Sequence, residues 1–353
     1  MKILREDADW MRRPSLRRFY DGRRVLVVGG DGFLGRNSVE PLVALGARVS
    51  ILTRRRAAVG RSDAIEQVFV GDLREPGLVR DAVSDKTVVF DFAGSSGAVD
   101  SNRHPELDLE RECRAKLNLF TACAEAERRP KVLFCSSRLV YGPPLYVPVD
   151  EKHPLSPQSF YAAHKIAAES YLKVLGQTHQ LRSTVLRVSN PYGPYQSDGH
   201  KSYGVINQFL QRAARLEPIR VYGDGIQIRD YVHAGDLVAV FLLCGESSRC
   251  DGEIFNVGGR EPVRLRDAAE TITRLAGSPP VELAAWPADY EAVETGDYVT
   301  DLTKLDRTLG RVGQLRLDEG LSLSLEAYRE IAGSHSAPAA VTRSDSSSSE
   351  ARA

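Results

Sequence analysis

Tyr161-Ala162-Ala163-His164-Lys165 places a phenol and an ammonium at positions i and i+4. On a helix these share one face. A cation held beside a phenol favours the phenolate, so this spacing predicts a tyrosine with a lowered pKa. Such a group can take a proton from a hydroxyl, or give one back, while hydride moves at the same carbon. The spacing alone is common on helix surfaces, so its weight comes from the segment before it. Ser136-Ser137-Arg138-Leu139-Val140-Tyr141-Gly142 follows an apolar strand pattern, and Ser137 is placed to hydrogen-bond the reacting oxygen. Either serine also reads as an ordinary cap or turn residue. His164 faces away from the pair and reads as structural.

A second candidate site opens the chain. The apolar run Arg24–Val28 enters Gly29-Gly30-Asp31-Gly32-Phe33-Leu34-Gly35, with glycines spaced G-x-x-G-x-x-G at 29, 32 and 35. A strand end, a tight turn and a helix start present backbone N–H groups and the positive end of a helix to a pyrophosphate. The lysine of the first pair is then placed to hold a nicotinamide ribose hydroxyl. An NAD site normally has Asp or Glu at the end of the second strand, on the ribose 2′-OH. Here that position is Thr53, followed by Arg54, Arg55 and Arg56. A hydroxyl followed by guanidinium groups suits a 2′-phosphate. The reading therefore leans to NADP, with NAD the other option. Asp72 and Leu73, after the third strand pattern, are placed to touch the adenine.

The elements that must position these residues alternate strand and helix. Strand patterns fall at 24–28, 48–52, 65–70, 88–93, 131–135 and 184–188, and helix patterns at 34–45, 115–127 and 161–176. Pro41 is expected to kink or shorten the first of these helices. Near-continuous apolar strands between helices predict an α/β fold of Rossmann type, a parallel sheet covered on both faces. From about 190 the pattern loosens and grows richer in Gly and Pro, as a smaller C-terminal substrate-binding lobe would. The expected division is a basic extension over 1–24, a dinucleotide-binding domain mainly over 25–189, the lobe mainly over 190–332 with segments returning to the core, and a disordered tail over 333–353. The extension carries eight Lys or Arg against four Asp or Glu, with Trp10, Leu16, Phe19 and Tyr20 among them, and reads as a docked helix or a lead segment.

Composition removes several function classes. Lys plus Arg equals Asp plus Glu at 47 each, so no global affinity for nucleic acid or an anionic membrane is implied. The longest apolar run, Leu237–Cys244, is too short to span a bilayer. The five cysteines form no C-x-x-C pair and no zinc pattern, so no metal is expected. They read as buried free thiols of a cytoplasmic protein, and the first residues lack the apolar core of a signal peptide.

Taken together, Gly29-x-x-Gly32-x-x-Gly35, Phe92-Ala93-Gly94, Ser136-Ser137-x-x-Val140-Tyr141-Gly142, Tyr161-x-x-x-Lys165, Arg187-x-x-Asn190-x-Tyr192-Gly193-Pro194 and Arg229-Asp230-Tyr231-Val232-His233 resemble the extended short-chain dehydrogenase/reductase family, in its sugar-nucleotide epimerase, dehydratase and ketoreductase branch. The similarity covers about 25–332. It implies that Ser137 is the catalytic hydroxyl, Tyr161 the acid/base and Lys165 its partner. It implies cofactor contacts from the glycine loop with Phe33 and Leu34, and from Ala93 and Gly94. It places Asn190 near a substrate diphosphate and makes Arg229 the arginine that clamps the pyrophosphate, while His233 and Asp236 organise a turn. The helices around 105–127 and 160–176 resemble a pair that forms a four-helix bundle, which implies a homodimer.

Four positions depart from the pattern. Arg138-Leu139 stands where dehydratases carry Asp-Glu, which argues against 4,6-dehydration. Val293-Glu294-Thr295-Gly296-Asp297 lacks the arginine that grips the diphosphate in epimerases. Glu112 stands where an asparagine is usual near the cofactor, and Thr53 where an acid is usual. The leading expectation is a sugar-nucleotide 4-epimerase acting through a transient 4-keto intermediate on a nucleotide diphosphate sugar. The alternative is an NADPH-dependent reductase of a nucleotide-linked 4-keto sugar. A non-catalytic dinucleotide sensor on the same fold is the least favoured, because Tyr161 and Lys165 are both kept.

Overall fold

The computed structural model describes residues 13–55, 64–94, 97–196, 204–313 and 315–335. Residues 1–12, Arg56 and the serine-rich tail beyond 335 lie outside the described residues. Seven strands form one sheet: β1 (Arg24–Val28), β2 (Arg48–Thr53), β3 (Ile65–Val70), β4 (Val88–Asp91), β5 (Lys131–Ser137), β6 (Ser183–Val188) and β7 (Glu253–Val257). All pairings are parallel and the spatial order is β7-β6-β5-β4-β1-β2-β3. This is the predicted doubly covered α/β fold. The order reverses between β1 and β4, and ligands of such sheets bind in the crevice at that point.

Alternation along each strand feeds two cores. Val25 and Val27 join one buried cluster with Leu16, Tyr20, Phe90 and Phe241, while Leu26 and Val28 join another with Phe120, Phe134 and Leu172. The first cluster lies under α1 (Pro14–Tyr20), α2 (Phe33–Ala44) and a later helix, Ala234–Glu246. The second lies under α3 (Pro76–Val83), α6 (Ala115–Glu125) and α7 (Phe160–His179), against which pack the short helices α4 (Ala98–Arg103) and α5 (Pro105–Leu109) and a π turn over Glu110–Arg114. Within the basic extension, α1 docks on the body: Leu16 and Tyr20 are fully buried, and the Tyr20 hydroxyl donates to the Leu242 carbonyl at 2.9 Å.

The shortening expected at Pro41 does not occur, and α2 runs on to Ala44. Pro41 falls in the last turn, where a missing N–H costs only the bond to the Asn37 carbonyl. Beyond β6 a third buried cluster, including Phe209, Leu210, Ile219, Ile272 and Leu325, joins Val205–Ala214, Leu265–Ala276 and Leu317–His335. Three two-stranded ladders stitch this region. They pair Pro191–Tyr192 with Val232–His233, Ile228–Arg229 with Val263–Arg264, and Arg220–Tyr222 with Glu282–Ala284. No helix among the described residues is long and apolar enough to cross a membrane.

Candidate active site

The loop after β1 turns directly into α2, and its glycines are sterically required. Gly29 has φ +76°, and a Cβ there would fall 2.9 Å from the Ala93 Cα. A Cβ on Gly35 would fall 2.2 Å from the Gly29 carbonyl oxygen. The Gly32 N–H closes the turn on Gly29 O at 2.9 Å, and Gly32 stands at the N-cap with no side chain to satisfy the helix's first amides. Those amides are left for a ligand. The residues present therefore fit a dinucleotide pyrophosphate: a tight turn with no room for side chains at 29 and 35, at a helix N-terminus, in the sheet's crevice.

A single cavity of about 1450 Å³ runs from this loop into the C-terminal lobe. Gly29, Gly32, Phe33 and Leu34 line one wall, with Ala93 and Gly94 beside Gly29. Gly35 sits behind the wall and sets how closely α2 approaches β1. Thr53 and Arg54 line the far end with Asp72 and Leu73. Thr53 is buried, and its hydroxyl accepts from the Arg55 amide at 3.3 Å. Arg54 is exposed. The Asp72 carboxylate takes two bonds from Arg74, at 2.9 and 3.1 Å, which hold its pKa below the usual range.

Ser137, Tyr161 and Lys165 meet at the middle of the cavity. Ser137 ends β5 and caps a 3-10 turn, accepting from the Leu139 amide at 3.2 Å. Its neighbour Ser136 donates instead to Glu169, which Arg187 grips at 2.6 Å. Arg187 also donates to the Tyr141 hydroxyl at 2.9 Å, and that hydroxyl donates to Asn256 at 2.7 Å. These buried bonds fix the turn that carries Ser137. Tyr161 and Lys165 lie one turn apart on α7, whose N-terminus is capped by Ser159. The Lys165 ammonium stands 5.3 Å from the Tyr161 ring centre and donates to the Cys135 carbonyl at 3.2 Å.

The predicted fall in the tyrosine pKa is not what the structure gives. Burial pushes the Tyr161 phenol up to about 12. Lys165 and a hydrogen bond with Ser137 pull it down, but the Glu112 carboxylate pushes it up again. Glu112 Oε2 lies 3.0 Å from Lys165 Nζ, with both side chains buried. Burial is the strongest influence on the Lys165 charge and acts against it, yet Glu112, Tyr161, Cys135 and Asp91 together outweigh it and hold the ammonium protonated. A second buried pair, Asp91 with Lys116 at 2.7 Å, lies beneath, and Lys116 also donates to the Ala93 carbonyl. Sequence reading noticed Glu112 only as an unusual residue near the cofactor. Its partner is 53 positions away, and no local spacing reveals the pair.

A direct consequence concerns pH. Glu112→Gln removes a charge that favours neutral Tyr161, so the phenol should titrate at lower pH. Because Tyr161 can take a proton only as the phenolate, the acidic limb of the kcat/KM profile should move to lower pH by a resolvable fraction of a unit or more, since each unit is 1.36 kcal/mol of charge interaction. A limb that stays in place would show that Glu112 acts on packing alone.

Toward the lobe, the cavity is lined by Arg138, Asn190 and Arg229. Asn190 Nδ2 donates to the Asp230 carbonyl at 2.9 Å, and its oxygen accepts from Arg138 Nε at 3.3 Å. Arg229 is not a free cation: it pairs with the Glu294 carboxylate and donates to the carbonyls of Gly296 and Ile228. The residue that replaces the expected second arginine thus neutralises the first. His164 binds Asp108 at 2.6 Å, and His233 accepts from the Gly235 amide at 3.1 Å, with burial pushing its pKa down to about 4. Asp236 accepts from the Leu315 amide at 3.2 Å. Among the described residues, no group of three or more His, Cys, Asp or Glu is placed to hold a metal ion.

Comparison with known proteins agrees with this architecture. The chain is 30% identical over 318 residues to the UDP-glucose 4-epimerase of Mycolicibacterium smegmatis, covering 87% of this chain and 98% of that one. It superposes on the Thermus thermophilus UDP-glucose 4-epimerase solved in complex with NAD, with a TM-score of 0.78 and 32% identity, covering 87% and 99% of the two chains. It also superposes on MoeE5 in complex with UDP-glucuronic acid and NAD, with a TM-score of 0.78 and 26% identity, over 87% and 99%. Residues 25–258 match the sequence pattern of a single family, and by that match this chain belongs to the NAD dependent epimerase/dehydratase family.

Proposed function

We propose that the protein is a sugar-nucleotide 4-epimerase that works through a transient 4-keto sugar. The observation that carries this reading is the meeting of Ser137, Tyr161 and Lys165 midway along one cavity, between a glycine cradle and the lobe. UDP-glucose 4-epimerases among its relatives support the substrate class. Ser137 orients the sugar C4 hydroxyl, and Tyr161 takes its proton as the carbon is oxidised. When bound, the nicotinamide supplies a reversible acceptor for the C4 hydride. Lys165 steadies the Tyr161 phenolate that takes the proton and would hold the ribose hydroxyls nearby. After the keto sugar turns over, Tyr161 returns the proton to the oxygen on the new face. Positioning and fixed charges supply the rate enhancement. The glycine loop, Phe33, Leu34, Ala93 and Gly94 would hold the dinucleotide, with Asp72 and Leu73 beside its adenine.

NAD is the cofactor we assign, in keeping with the family and with the NAD-bound neighbours. One observation favours a second reading. Thr53 and the exposed Arg54 suit a 2′-phosphate, and a Tyr161 that stays protonated up to about 12 is ready to act as an acid. Both features suit a 4-ketoreductase using NADPH. Mass spectrometry of the nucleotide released on denaturing the purified protein separates the two. Near-stoichiometric NAD is the expected result. An empty site that binds NADPH in preference to NADH would replace the epimerase with the reductase.

We further propose a homodimer packed through the helices of 105–125 and α7. Leu107, Leu109, Leu117, Phe160 and Val174 all lie on these elements and are exposed in the single chain, a density of large apolar side chains that marks an interface. Sedimentation at the monomer mass of 38.9 kDa would rule the dimer out. The division at residue 189 into a dinucleotide domain and a substrate lobe is proposed on the same footing. It is supported by the third buried cluster, with β7 returning to the main sheet. A cytoplasmic location rests on the five free cysteines.

A further inference from the structure

Arg138 follows Ser137 directly, at the start of the 3-10 turn, so the two Cα atoms are about 3.8 Å apart. Its side chain is buried, yet lines the cavity. Every partner of its guanidinium is neutral. Nε donates to Asn190 Oδ1 at 3.3 Å, Nη1 donates to Thr295 Oγ1 at 3.0 Å, and the ring of Tyr298 lies 5.0 Å from its carbon. No carboxylate among the described residues stands within ion-pair distance of it. Asp230 spends its oxygens on the Thr300 amide at 2.6 Å and the Gly259 amide at 3.4 Å. Glu294 pairs with Arg229. The Arg229–Glu294 pair sums to zero, which leaves the buried Asp230 carboxylate, beyond ion-pair distance, as the remaining opposite charge that Arg138 feels at this end of the cavity.

We propose that Arg138 is the receptor for an oxyanion of the substrate, a carboxylate on the sugar or an oxygen of the diphosphate. This rests on the nucleotide-sugar reading above and names the group by which such a substrate is gripped. A buried guanidinium with no acid in direct contact is costly and is repaid when an anion arrives. Burial and the neighbouring Arg229 already drag its pKa down to about 10. Two of its five N–H donors are spent on Asn190 and Thr295, which fix the guanidinium plane and leave donors for a forked bond to an oxyanion. Arg229 does not offer the same service, since Glu294 and two carbonyls occupy it. The position beside Ser137 brings the bound anion close to the reacting sugar. The same fold accepts an acidic sugar in MoeE5, which was solved with UDP-glucuronic acid.

The test uses full-length protein carrying its dinucleotide. Binding of inorganic pyrophosphate, UDP, UDP-glucose and UDP-glucuronic acid is measured by calorimetry for the wild type, Arg138→Gln, Arg138→Lys and Thr295→Val. We expect Arg138→Gln to weaken at least one class by about tenfold or more, since hydrogen bonds to charged groups are the strong ones. Arg138→Lys should lose less, because it keeps the charge without the fork. Thr295→Val should lose less again. Loss confined to UDP-glucuronic acid assigns the sugar carboxylate, while equal loss for all four ligands assigns the diphosphate. Retention of the dinucleotide by Arg138→Gln certifies its fold, and if that variant does not fold, Arg138→Lys carries the comparison. Affinities unchanged in every arm overturn the proposal. Arg138-dependent binding of pyrophosphate with no binding of the three uridine ligands would keep the receptor and sink the nucleotide-sugar reading. A wild type that binds none of the four removes both.

Discussion

Tyr161→Phe should lower turnover by about 10²- to 10⁴-fold, the usual worth of a positioned acid/base, while dinucleotide retention changes little. The phenol ring stays in place against Lys165, and only the hydroxyl that moves the proton is lost. Steady-state epimerisation and mass spectrometry of the released nucleotide, run on the same preparation, give both readouts. Turnover that survives in the variant would remove Tyr161 from the chemistry. The pairing of Lys165 with Glu112 sharpens this expectation. The ammonium is already compensated by a carboxylate, so the lost hydroxyl does not leave an isolated charge behind, and the fold should survive.

Gly35→Val is the second large effect. Its Cβ would meet the Gly29 carbonyl oxygen at 2.2 Å and the Gly30 Cα at 2.6 Å. Both are backbone atoms, so the first turn of α2 must move away from β1 to make room. Overpacking of this kind costs about 1–3 kcal/mol of stability. The greater loss is in binding, because the same shift pulls the helix amides off the pyrophosphate, and each 1.4 kcal/mol lost there is about tenfold in affinity. The purified variant should carry no nucleotide. Gly77→Ala is the control: it lies in the first turn of α3, where an added Cβ meets nothing within 4 Å. A Gly35→Val protein that still holds its dinucleotide would show that the loop does not bind the pyrophosphate.

Much of this site can be read from sequence because its parts are local. The glycine loop, the Ser137 turn and the Tyr161–Lys165 pair are each set by residues a few positions apart, and strand and helix periods place them at the right ends of the right elements. What escaped reading is the set of long-range pairs. Glu112 meets Lys165 and Glu294 meets Arg229 only after the chain has folded. The direction of the Tyr161 pKa departs from the expectation for this reason: the local rule counts the lysine, and omits burial and the buried carboxylate paired with that lysine. The π turn at Glu110–Arg114, which delivers Glu112, breaks the helical period inside the helical segment expected around 105–127, just before the clear pattern that begins at 115. The lobe's ladders are two or three residues long, too short for any alternation to register.

The docking of α1 couples two distant positions sterically. The family match begins at residue 25, after α1 has ended. Yet Gly245, in the helix beneath, could not accept even a methyl group: a Cβ there would fall 2.2 Å from the Tyr20 hydroxyl. A chain lacking that hydroxyl is free to enlarge residue 245, and one that keeps it is not. Under mutation and selection the two sites should therefore change together or not at all.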